Sequence, residues 1–190
     1  MKSLNFEENL LLLRLKKKDP DAFAQLYDLY VTPIYRFIYF KVPRTQDAED
    51  LTSEVFLKIW QYISTTEDVI GNLRALLYKT ARNSVIDFYR RSVNREISGA
   101  EEILQTMEDL NQQSVLTQIE TRLEMKNIES VLKQMKDDYR EVIILRFVED
   151  LPITEIAKIM DKSRGSVRVL IHRAIKVMRG LIAKNGKKSF

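Results

Sequence analysis

The sequence predicts an all-α protein of two small helical domains joined by an acidic linker. Three observations predict it. Apolar residues recur at three and four almost throughout. Alternating β-branched runs are absent, and only 5 glycines and 4 prolines interrupt 190 residues. The net charge of +4 is also unevenly spread. Residues 1–91 carry 14 basic and 12 acidic side chains, residues 92–124 carry 2 and 7, and residues 125–190 carry 15 and 8. Two positive blocks around an acidic connector read as two modules and a linker. We place the domains at 1–91 and 121–190, with the linker at 92–120.

Asn5 to Lys17 has helical period and a leucine patch at Leu10 to Leu13. Asp19-Pro20-Asp21 stops that helix and starts another, with Asp19 as the cap and Pro20 at the first helical position. Ala22 to Tyr30 is the expected second helix. Pro33 is expected to open a third, Ile34 to Val42, which Pro43 ends.

Thr45 to Trp60 has acids in its first turn, favourable at a helix N-terminus. Ala48, Leu51, Val55, Ile59 and Tyr62 form its apolar stripe. Phe56 and Trp60 lie off the stripe, four apart. They are either core residues of a bundle or part of a partner-binding face in which acids sit beside aromatics. Ser64 to Gly71 reads as a loop, and Asn72 can cap the helix Leu73 to Arg91. That helix is expected to turn Leu73, Leu76, Leu77, Thr80, Ala81, Ser84, Val85 and Phe88 inward. Arg74, Tyr78, Lys79, Arg82, Asn83, Asp87, Arg90 and Arg91 are expected outside, a mixture suited to phosphate contacts and base stacking.

Ser92 to Glu120 has weak periodicity, with a short helix expected near Glu101 to Leu110. Helix resumes at about Thr121. Asp137-Asp138 then starts the helix Tyr139 to Val148.

Leu151 to Leu181 has the pattern of a helix-turn-helix. Ile153, Ile156, Ala157 and Met160 give the first helix one apolar face. Asp161-Lys162-Ser163 makes the turn, Asp161 tolerating a left-handed backbone and Ser163 capping the second helix. Val167, Leu170, Ile171, Ala174, Met178 and Leu181 line that second helix, with Arg164 in its first turn. Ser166, Arg168, Val169, His172, Arg173, Lys176 and Arg179 share its opposite face. No acid follows Asp161. A basic helix after a capped turn is the footprint of major-groove binding.

The same composition excludes much else. There is no cysteine and one histidine, so disulfides, thiolate metal sites and histidine clusters are ruled out. No glycine-rich phosphate loop or nucleophile–base pair is present, and paired acids at helix starts are explained by capping. No catalytic residue, metal site or cofactor is expected. No apolar run is long enough to span a bilayer, and Met1 to Lys18 lacks a signal peptide's cleavage site. The expected location is the cytoplasm.

Two separate stretches resemble one family. Asp47-Ala48-Glu49-Asp50-Leu51-Thr52-Ser53-Glu54-Val55-Phe56-Leu57-Lys58-Ile59-Trp60 and Leu73 to Arg91 are similar to the N-terminal domain of bacterial RNA polymerase sigma factors. Tyr139-Arg140-Glu141-Val142, Leu145 to Glu149, Glu155-Ile156-Ala157, Gly165 to Arg168 and His172-Arg173-Ala174 resemble their C-terminal domain. With only these two domains, the chain resembles the extracytoplasmic-function group of the sigma-70 family.

The resemblance implies that Asp50, Leu51, Glu54, Phe56 and Trp60 grip the β′ clamp helices of core RNA polymerase. It implies that Thr65 to Gly71, Arg82, Asn83, Asp87, Arg90 and Arg91 meet the opened −10 element. Arg164, Ser166, Arg168, His172, Arg173 and Lys176 would read the −35 element while their domain docks on the β flap. Promoter DNA and core polymerase are thus the implied partners, with an anti-sigma factor a further candidate. Leu76, Leu170, Pro152 and Asp161 depart from the family's usual tryptophan, arginine, serine and glycine. Pro152 is expected at the first position of its helix. The acidic connector is also expected to fold back on the basic C-terminal domain and weaken its DNA binding.

Overall fold

In the computed structural model, residues 10–66, 68–97 and 128–186 are described, without the side chains of 93–97 and 186. The linker, its expected short helix and its expected folding back lie outside them. The described residues form eight helices and no strand. α1 spans 10–16 and buries Leu11, Leu12 and Leu15. It ends at Lys18, whose φ of 61° lies in the left-handed region.

α2 spans Pro20–Tyr39, with Pro33 inside it. The Asp19 carboxylate accepts from the Asp21 and Ala22 amides at 3.0 and 3.4 Å, so Asp19 caps the helix as its position predicts. Pro33 does not divide the segment into two helices. Proline removes one backbone bond and crowds the turn before it, typically costing about 3 kcal/mol. Here Leu26, Ile34, Phe37 and Ile38 are fully buried on both sides of Pro33 and hold the helix together. The freed carbonyl belongs to Leu29, which is exposed and can be hydrated.

α3 (Thr45–Thr65) and α4 (Leu73–Ile97) complete the first bundle. Ala48, Leu51, Val55, Phe56, Ile59 and Ile63 of α3 face α2 and the Leu73, Leu77, Ala81 and Val85 stripe of α4. Asn72 caps α4 by accepting from the Ala75 amide at 2.6 Å.

The second bundle contains α5 (128–134), α6 (Asp137–Ile143), α7 (Ile153–Ile159) and α8 (Arg164–Gly186). After α6 the helix widens over Ile144–Val148 to the i→i+5 pattern. The Glu149 amide closes it by donating to the Ile144 carbonyl at 3.0 Å. Pro152 is the N-cap of α7, one place earlier than expected, with φ −70° and ψ 151°. Its extended backbone lets its carbonyl accept from Glu155 and Ile156 at 2.9 and 3.1 Å.

The two bundles share one hydrophobic core, in which α4 of the first packs against α7 of the second.

Candidate nucleic-acid interface

The α7–turn–α8 unit follows from local chemistry. Ile156, Ala157, Ile159 and Met160 are buried beneath α7, together with Val167 and Ala174 of α8. Asp161 sits at φ 52°, the left-handed conformation its side chain tolerates. The Ser163 hydroxyl accepts from the Ser166 amide at 3.1 Å, satisfying one amide at the start of α8.

With one stripe held inward, the other face of α8 must face water. Arg164, Ser166, Arg168, Val169, His172, Arg173, Lys176 and Arg179 are all exposed. Among the described residues none of these cations is in an ion pair. Leu170 is half-buried against the core, which accounts for an apolar residue there.

The polar face of α4 behaves differently along its length. Asn83, Asp87, Arg90 and Arg91 are exposed, with Arg91 3.7 Å from Glu54. Arg82 is covered: its Nε lies 2.9 Å from the fully buried Glu141 Oε1, an ion pair without hydrogen-bond alignment. The other Glu141 oxygen accepts from Lys41 Nζ at 2.7 Å, and Lys41 also reaches Asp137 at 3.2 Å. Lys41 is 1% exposed and lies over the Phe37 ring.

Tyr78, expected outside, is buried between the two bundles and donates to Glu149 at 3.1 Å. Burial, then the Glu149 charge, pushes its hydroxyl pKa well above the ordinary tyrosine range. Arg36 grips Glu149 with two bonds of 3.0 Å, and that hydrogen bonding raises the guanidinium pKa further. Arg74 reaches Glu155 at 3.3 Å, and Lys79 pairs with Asp161.

The Sigma-70 region 2 profile matches residues 26–95, and the Sigma-70 region 4 profile matches residues 125–178. The chain is 30% identical over 162 residues to the ECF RNA polymerase sigma factor SigX of Bacillus subtilis (strain 168), covering 84% of this chain and 82% of that protein. The chain belongs to the ECF sigma factors of the sigma-70 family.

Other relatives agree. SigW of Bacillus subtilis (strain 168) is 28% identical, over 87% of this chain and 91% of its own. BldN of Streptomyces coelicolor is 31% identical over 93% of this chain, and the match spans 66% of BldN. Two solved structures share the fold at 21% identity. CnrH, in complex with the cytosolic domain of CnrY, gives a TM-score of 0.68 over 92% of this chain and 96% of its own. RpoE of Bartonella quintana, in complex with the anti-sigma factor NepR, gives 0.67 over 85% and 96%. As a sigma factor, the protein directs promoter recognition and transcription initiation with RNA polymerase. No described helix is long and apolar enough to cross a membrane.

Within this sigma factor the residues expected to grip polymerase divide by exposure. Asp50 is exposed, and Glu54 is partly exposed while paired with Lys58 at 2.6 Å. Leu51 and Phe56 are buried at 4% and 2%, and Phe56 packs against Tyr27 at a tilt, with ring centres 4.8 Å apart. Trp60 is half-buried against Phe23, 5.0 Å between centres. The bundle-core reading of Phe56 therefore holds, because the stripe of α3 is broad enough to include it.

The residues that pattern reading missed are Arg36, Lys41, Glu141 and Glu149. Glu141 sits among the buried apolar residues of α6 and Lys41 in the turn after α2, and nothing local couples positions 100 apart.

Proposed function

We propose that the protein divides promoter recognition between its two bundles. α8 reads the −35 element in the major groove with Arg164, Ser166, Arg168, His172, Arg173 and Lys176, and its domain docks on the polymerase β flap. Arg82, Asn83, Asp87, Arg90 and Arg91 of α4 contact the opened −10 strand. Asp50, Glu54 and the exposed edge of Trp60 meet the β′ clamp helices, with Leu51 and Phe56 shaping that helix from inside. The division assigns one function to each domain, 1–91 and 121–190. The protein acts in the cytoplasm, catalyses nothing itself, and has an anti-sigma factor as a further partner.

The observation that carries this reading is the exposed cationic face of α8, which no acid of the described residues neutralises. Phosphates are the natural counterions for such a face, and its arginines can grip guanine edges.

Mixing the protein with core polymerase and a promoter fragment tests the proposal. Arg168→Ala should lower −35 discrimination by about 1–3 kcal/mol if the side chain reads a base. An equal loss on all sequences would limit it to phosphate. Asp50→Ala should weaken the polymerase complex while sparing DNA binding by α8, and equal loss of both would remove Asp50 from that role.

A further inference from the structure

Among Ser166, Arg168, His172 and Arg173, the outer face of α8 carries one apolar side chain, Val169, which is 51% exposed. A single exposed valine is ordinary on a protein surface. Its neighbours set this one apart. On a helix a side chain meets the residues three and four places away. For Val169 these are Gly165, Ser166, His172 and Arg173, all exposed. Val177, a second exposed valine of α8, differs. Its corresponding neighbours include the buried Ala174 and the partly buried Leu181, so it borders the core. Val169 borders only polar groups and glycine, and valine is a weaker helix former than alanine.

Gly165 supplies a second observation. Helical side chains lean toward the N-terminus, so Val169 leans over the turn that Gly165 occupies. A methyl group at Gly165 would meet Ser163 Oγ at 3.8 Å, an ordinary contact. Nothing among the described residues excludes a side chain there, and glycine weakens a helix relative to alanine. A glycine that its own fold does not require leaves room for a ligand to approach the backbone. The two residues therefore frame a notch one helical turn long, with an open floor at Gly165 and an apolar wall at Val169. Helix-turn-helix units set the first turns of their second helix against base edges. Val169 stands in the second turn of α8.

We propose that this notch reads a thymine of the −35 element through its 5-methyl group. That methyl projects into the major groove, where it marks thymine among the four bases. Arg168 and Arg173 supply charge and hydrogen bonds, whereas Val169 adds discrimination by taking a methyl group out of water. The notch rests on the reading of α8 as the −35 helix, and the experiment separates the two.

Holoenzyme assembled from the full chain and core polymerase is offered duplexes randomised across the promoter, and the bound ones are sequenced. A −35 motif containing a thymine on one strand should emerge. Holoenzyme with Val169→Ala should lose the preference for that thymine and keep the other positions of the motif. Replacing the thymine by uracil removes its methyl group alone. Wild-type holoenzyme should bind the uracil duplex about fourfold more weakly, the worth of one methyl group taken out of water. Val169→Ala should bind the two duplexes equally. Gly165→Ala should fill the notch, so binding weakens severalfold while thermal stability does not fall. Both positions are exposed and alanine is the better helix former, so a folding defect would not imitate these results.

Uracil that costs nothing at any thymine of the motif overturns the notch, as does a motif unchanged by Val169→Ala. Full binding by Gly165→Ala overturns its geometry. Arg168→Ala then decides how far the failure reaches. If it alters the motif, α8 reads the −35 element and only the notch is wrong. If it alters nothing, or if no −35 motif emerges, the α8 reading has failed and the notch with it.

Discussion

Arg82 is one guanidinium sought by two partners. Its position on α4 points to the promoter, while its partner of opposite charge among the described residues is Glu141, fully buried. A buried carboxylate is tolerable only when its charge is matched. Glu141 is matched twice, by Lys41 and Arg82, so neither cation is merely decorative. Removing that charge leaves the buried Lys41 and the partly buried Arg82 with less compensation, though Lys41 keeps Asp137 at 3.2 Å. Glu141→Gln should therefore lower stability to chemical denaturation by about 3 kcal/mol, the scale for breaking a buried pair. Glu155→Gln, at a partly exposed pair, should cost under about 1 kcal/mol. Equal costs for the two would mean that burial does not set the energetics here. The exposed α8 cations follow a different rule. They are solvated, make no compensating pair among the described residues, and so are free to exchange water for phosphate.

At the scale of single helices, the ends are written into the chain. Asp19, Asn72 and Ser163 each cap a helix from the position their sequence context predicts. Ser163→Ala should cost about 1 kcal/mol by leaving the Ser166 amide without its bond. Thermal unfolding would register it, and an unchanged midpoint would mean that water replaces the hydroxyl without loss. Where elements continue or break was less legible. Pro33 carries the local signal of a helix start, yet α2 runs through it, because Leu26, Ile34, Phe37 and Ile38 bury on one continuous face. The wide turn at Ile144–Val148 had no sequence cue at all, since i→i+5 bonding is chosen by how Ile144, Leu145 and Leu151 settle into the core.

For the molecule as a whole, the paired surfaces carry opposite charge, and the pairs differ in exposure. Salt screens exposed pairs strongly, the Debye length falling from about 10 Å at 0.1 M to about 3 Å at 1 M. Lys79–Asp161 is exposed on both sides and Arg36–Glu149 on the arginine side alone, whereas Lys41–Glu141 is closed to water. In the protein labelled with a fluorescence donor and acceptor at Glu49→Cys and Ala183→Cys, both exposed positions of a sequence without cysteine, raising salt should loosen the bundles gradually, and the Glu141→Gln variant should open at lower salt than wild type. Identical salt profiles would show that the buried pair does not contribute to closure.

The sequence by itself determined the all-α class, the capped helix-turn-helix, the basic face of α8 and the family likeness. Each depends on residues within a few turns of one another, where period and capping act directly. Tyr78 marks the boundary of that kind of inference. It was expected outside because α4 alone offers it to solvent, and only a second bundle could bury it. Tertiary structure decided that Tyr78 and Arg82 are covered, that Phe56 belongs to the core, and that acids of one domain face cations of the other. The ion pairs among those outcomes join positions 59 to 113 residues apart, and nothing in local chemistry specifies such partners.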